Sequence, residues 1–111
     1  MREILFKCWI PSEKFMGVPF NPFEDFKEDD KPSKWRDDSI FLQFTGLKDK
    51  NGKQIYEGDI VSFLDENYQV IYMEPYASFM LQHSNGNDLK NIYTEEIIIG
   101  NIYSNPELLK P

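Results

Sequence analysis

IFLQFTGLKDKNGKQIYEGDIV, residues Ile40 to Val61, decides the fold. Ile40 to Thr45 is rich in β-branched and aromatic residues, which suits a pleated, half-buried strand. Asp49-Lys50-Asn51-Gly52 follows as a turn, because Asn-Gly accepts the positive φ angles of a tight hairpin. Gly58-Asp59 marks a second turn, with Gly58 supplying a permissive φ and Asp59 able to accept backbone N–H bonds. Ile60 to Leu64 then starts a new strand. Strand, turn, strand in one run predicts a β protein.

Working outward, the same grammar continues. In Arg2–Trp9, Ile4, Phe6 and Cys8 share one face, which predicts a strand. Pro11-Ser12 is a turn, and Lys14–Val18 a short second strand hairpinned to the first. Tyr68–Met73 is apolar on both faces and ends at Pro75. Ser78–His83 follows, then the turn Ser84-Asn85-Gly86-Asn87 and the strand Leu89–Tyr93. Thr94-Glu95-Glu96 reads as one short helical turn with solvated carboxylates. Ile97–Tyr103 is the last strand, and Gly100 inside it predicts a bulge or bend. Asn105-Pro106-Glu107 has cap, proline and acid in the order that opens a helical turn. Short strands with turn signals every 8–12 residues or so predict a small barrel or meander.

Residues 19–38 break this rhythm. Pro19, Pro22 and Pro32 forbid a long regular element, and acids outnumber bases. Phe20, Phe23, Phe26 and Trp35 are too apolar for a plain linker. The stretch reads as a long acidic loop whose aromatics pack onto the body.

Composition narrows the function classes. At 111 residues the chain has room for one domain with a real core, and 15% aromatic content favours a compact β interior. The single Cys8 cannot form an intramolecular disulfide. No signal-like segment and no apolar run of about 20 residues appears, so the expected setting is the cytoplasm, with no membrane partner. The net charge is -7 and lies in one half. Met1–Tyr56 is balanced, whereas from Glu57 onward nine acidic residues face only Lys90 and Lys110. Nucleic-acid binders show a basic footprint, so such a partner is disfavoured.

The chemistry-bearing motifs reduce to structure. Gly46 to Lys53 has five residues between its glycines, and Gln54 follows the lysine. A phosphate loop needs four residues there and then a hydroxyl. Asp49-x-Asn51 resembles the start of a calcium loop, but Lys53 and Ile60 occupy two required ligand positions. A Cys8–His83 dyad would need the two adjacent and oriented by a third group, while Cys8 sits on an apolar strand face. One Cys and one His cannot build a structural zinc site. Glu57 and Asp59 read as turn chemistry. No catalytic residue, metal ligand or cofactor site is expected, and the chain is read as a non-enzyme.

Three blocks resemble the YopX protein family of bacteriophages and prophages of low-GC Gram-positive bacteria. They are MREILFKCWI, FLQFTGLKDKNGKQIYEGDIV and IIIGNIYSNPELL. The resemblance implies a mainly β protein, with an N-terminal β hairpin region over residues 1–54 and a C-terminal SH3-like small β-barrel over 55–111. It also implies phage origin and self-association as a homo-oligomer. It implies no activity, so no functional residue is carried over.

The expected function is thus that of a phage or prophage accessory protein, a non-enzymatic protein-binding or assembly module. Its expected partners are further copies of the chain or a host protein. SH3-like barrels often bind ligands in aromatic-lined grooves, including proline-rich peptides and methylated lysines. Among Tyr56, Tyr68, Tyr72, Tyr76 and Tyr93, and in the loop, the candidate partner-binding residues are Tyr68, Tyr72, Tyr76 and Trp35. Acidic neighbours Asp65, Glu66 and Glu74 would favour a basic partner. The alternative is a nucleic-acid-associated or DNA-mimicking protein acting on a host factor.

Overall fold

The computed structural model describes residues 4–22 and 38–110. The loop aromatics Phe23 and Phe26 and the candidate Trp35 lie outside the described residues.

The strands are β1 (Phe6–Ile10), β2 (Phe15–Met16), β3 (Ile40–Lys48), β4 (Gln54–Tyr56), β5 (Asp59–Phe63), β6 (Glu66–Met73), β7 (Ser78–His83), β8 (Leu89–Lys90) and β9 (Ile97–Asn101). Helical content among the described residues is confined to single 3-10 turns at Pro11–Glu13, Glu74–Tyr76 and Pro106–Leu109. Each carries proline in its first turn, where a missing N–H costs nothing.

Two antiparallel sheets form, ordered β2-β1-β3-β4 and β8-β7-β6-β5-β9. The fold is mainly β and barrel-like, as the turn spacing predicts. In the first sheet β1 pairs with β2 as a hairpin, Trp9 opposite Met16, and with β3, Cys8 opposite Phe41. The second sheet is a meander from β5 to β8 that β9 extends along β5.

Register slips once between β5 and β9. Ile60 faces Gly100 and Val61 faces Ile98, so Ile99 is an extra residue. This is the bulge that Gly100 signals. A Cβ there would stand 2.5 Å from Asn105 Oδ1, so any larger residue would have to displace the Asn105 side chain.

The second sheet's ladder begins at Asp59, but its core begins earlier. Ile55 of β4 packs with Val61, Tyr68, Val70 and Leu81 in one buried cluster. One residue of the first sheet thus completes the interior of the second, which is how the curled sheet is closed. A smaller cluster of Cys8, Ile10 and Phe20 lies under the first sheet. Cys8 is buried there and His83 ends β7 of the other sheet. Trp9 stacks on Tyr103 at 5.7 Å and joins β1 to the C-terminal segment.

Two expectations are corrected. Thr94–Glu95 is a hydrogen-bonded turn rather than a helical one, and Glu96 is fully buried rather than solvated. Asn105 opens the last 3-10 turn without a side-chain cap; its Oδ1 instead accepts from Asn101 N–H at 3.3 Å.

Candidate functional site

The central hairpin is held by two carboxylates. Asp49 Oδ1 accepts N–H bonds from Asn51 (2.9 Å) and Lys53 (2.8 Å), which shapes the turn. Its Oδ2 accepts from Ile98 N–H at 3.0 Å, across to β9. Burial pushes the Asp49 carboxyl up, but the bonds from Ile98, Lys53 and Asn51, with the Lys53 charge, outweigh it and hold the group below its usual value. Asp59 Oδ2 accepts from Tyr56 N–H at 2.8 Å. There burial wins, and the carboxyl is raised to about 6 despite that bond and the charges of Lys7 and Lys53.

The aromatic candidates separate into two environments. Tyr68 is 9% exposed and belongs to the core, so it does not share a surface with the others. Its ring, with those of Phe63 and Tyr93, surrounds the Lys90 ammonium at centroid distances of 5.5, 4.1 and 5.3 Å. Lys90 Nζ also lies 3.0 Å from Glu96 Oε1, which further accepts Tyr93 N–H at 2.9 Å. An aromatic cage of the kind expected to bind a partner's lysine therefore exists, and the chain's own Lys90 fills it. Nearby, Glu66 accepts the Tyr68 hydroxyl at 3.2 Å and pairs with His83 at 3.4 Å.

Tyr72 and Tyr76 are solvent-exposed, at 44% and 64%. Tyr72 packs edge-on against Phe79. These two rings form one wall of an open cleft of about 750 Å³ between β3 and the β6–β7 hairpin. Thr45, Gly46 and Leu47 form the other wall, and Glu57 contributes a carboxylate. Tyr76 stands beside it in the 3-10 turn that joins β6 to β7. The sequence points to one residue of this cleft, Tyr72, and to its neighbour Tyr76, but not to Phe79 and Leu47, whose strand patterns look like ordinary core.

A second cavity, of about 430 Å³, lies where β1, β4 and β9 meet. Lys7, Lys53, Gln54, Asp59 and Asn101 contribute its polar lining. Nothing in the sequence motifs points to it, because its residues come from four separate segments. Among the described residues, no group of three or more His, Cys, Asp or Glu side chains is arranged to hold a metal ion. Nor is any helix long and apolar enough to cross a membrane.

The fold and its sites define a small two-sheet β protein with a caged lysine in its barrel-like half and an open aromatic cleft between the sheets. Residues 21–110 match the family described as YopX protein, and the chain belongs to that family. Of the three resembling blocks, the central and C-terminal ones fall in the matched range. The chain is also similar to the crystal structure of protein EF1440 from Enterococcus faecalis, with 25% identity and a TM-score of 0.64. That likeness covers 99% of this chain and 100% of the other. No curated protein matches the chain.

Proposed function

We propose that this protein is a non-enzymatic accessory protein of a phage or prophage that works through protein–protein contacts. The carrying observation is the cleft bearing Tyr72 and Phe79, flanked by exposed Tyr76. Exposed aromatic rings beside a preformed groove are the usual anchors of protein recognition. Glu57 in the cleft and Glu74 next to Tyr76 match a basic segment, as does the net charge of -7. The occupant we favour is therefore an extended segment of a partner protein carrying Lys or Arg. Family membership supports the accessory reading, and likeness to a bacterial protein over the whole of that chain suits a bacterial setting.

The test is NMR titration of the chain with a panel of proline-containing, Lys/Arg-bearing peptides. Saturable shifts at Leu47, Tyr72 and Phe79 that vanish in Tyr72→Ala support the reading. No shifts at the cleft, together with strictly monomeric light scattering up to high concentration, overturn it. A salt-sensitive gel shift with DNA would put the nucleic-acid reading in its place.

A further inference from the structure

The cavity between β1, β4 and β9 shares no lining residue with the aromatic cleft, and four of its polar lining residues, Lys7, Lys53, Gln54 and Asn101, carry donors. Asn101 Oδ1 accepts the N–H groups of Tyr103 (3.0 Å) and Ser104 (2.8 Å). This fixes the amide orientation, so Asn101 presents its NH₂. Gln54 Oε1 accepts the Tyr56 hydroxyl at 3.0 Å, and the Gln54 side chain lines the cavity beside Lys53. Lys7 Nζ is placed 4.4 Å from the centre of the Tyr56 ring, a cation–π contact that restricts its long side chain. Lys53 stands at the end of the turn that Asp49 organises. Among the described residues, neither ammonium has a carboxylate within ion-pair distance, and neither amide NH₂ has an acceptor.

Asp59 is the one acid in the lining, and one of its oxygens is taken by Tyr56 N–H. Within the lining, two ammonium groups face one buried carboxylate. Asp49 adjoins Lys53 from outside the lining, and the depression is bounded on one side by Ile98, Ile99 and Gly100 of the bulge. The volume of about 430 Å³ falls within the range of small-ligand sites.

We propose that this cavity binds a small anionic molecule through a phosphate or carboxylate group, held by Lys7, Lys53 and the amides of Gln54 and Asn101. Two ammoniums and two NH₂ groups supply charge-assisted donors from several directions, which is what a tetrahedral or planar oxyanion requires. Asp59 remains as an acceptor for a hydroxyl on the same ligand.

The experiment is NMR titration of the full chain with inorganic phosphate, glucose 6-phosphate and citrate, with sodium chloride as the ionic-strength control. Expected are saturable shifts confined to Lys53–Asp59 and Ile98–Asn101, stronger for one anion class, which tells phosphate from carboxylate. Lys53→Gln should weaken binding by about tenfold or more. Asn101→Asp is the sharper variant. It keeps the oxygen that Tyr103 and Ser104 use, so the turn is retained, but it replaces the donor by a charge and should abolish binding. Thermal melts of both variants check that the fold is kept. Shifts that never saturate, that match the chloride control, or that persist in both folded variants overturn the proposal.

Discussion

Asp49, in the turn of the central hairpin, and Asp59, at the start of β5, have carboxyls shifted in opposite directions. Asp59 is raised above its ordinary value of 3.8 to about 6. The folded state therefore binds a proton that the unfolded chain has already released between those values. Stability from this group is present at low pH and is lost as pH rises from about 4 to 6. Asp59→Asn removes the charge and keeps an acceptor for Tyr56 N–H. Relative to wild type it should gain up to about 3 kcal/mol at pH 8 and nothing below pH 4 or so. Urea melts across this pH range measure the difference. Asp49 has the opposite sign, since its folded value is lowered. Its contribution is present above the ordinary carboxylate range and is lost as pH falls through the folded value. Asp49→Ala leaves three N–H groups without their acceptor, so a loss of about 2–4 kcal/mol is expected in the same melts at pH 7.

At the scale of elements, the segment from β8 to β9 is organised around a buried ion pair. Glu96 is fully buried, Lys90 is mostly covered, and Glu96 Oε2 has no hydrogen-bond partner among the described residues. Removing one partner strands the other, so Lys90→Met alone should destabilise by about 3–5 kcal/mol. Replacing both, in Lys90→Met/Glu96→Leu, should cost far less than the sum of the single changes. A double-mutant cycle by chemical denaturation checks this; additive losses would contradict the coupling of Lys90 to Glu96. This part of the molecule was the least legible in the sequence. Thr94-Glu95-Glu96 looks locally like a solvated turn, and only the approach of Lys90 from β8 makes burial of Glu96 tolerable. The features that were legible are those settled within a few residues. Asn51-Gly52 turns the chain, Gly58-Asp59 starts β5, and Gly100 marks the bulge. Tyr68 shows the same limit on the candidate site. It shares a strand face with Val70 and Tyr72 along β6, but only the curl of the sheet decides that Tyr68 goes inside while Tyr72 stays out.

At the scale of the whole molecule, the two sheets are stitched by polar ties of long range rather than by apolar contact alone. Asp49 reaches Ile98, Lys50 N–H donates to the Glu96 carbonyl at 2.8 Å, and Gly58 N–H donates to the Val70 carbonyl at 2.9 Å. Ile55 enters the other sheet's core from the same hairpin. The central hairpin is thus a shared part of both halves, and neither half keeps its interior without it. The expected consequence is a single cooperative unfolding step. Trp9 and its stacking partner Tyr103 report tertiary packing, and far-ultraviolet circular dichroism reports strand content. In wild type the two signals should melt at one midpoint. In Asp49→Ala, which cuts the tie to β9 but leaves Ile55 in place, both should shift down together. If the transitions instead separated, the sheets would be independent units and the hairpin merely a linker. Coincident melting would mean that the anion cavity, walled by β1, β4 and β9, persists only while both sheets are folded. Saturating ligand should then raise the single midpoint in wild type and leave Asn101→Asp unmoved.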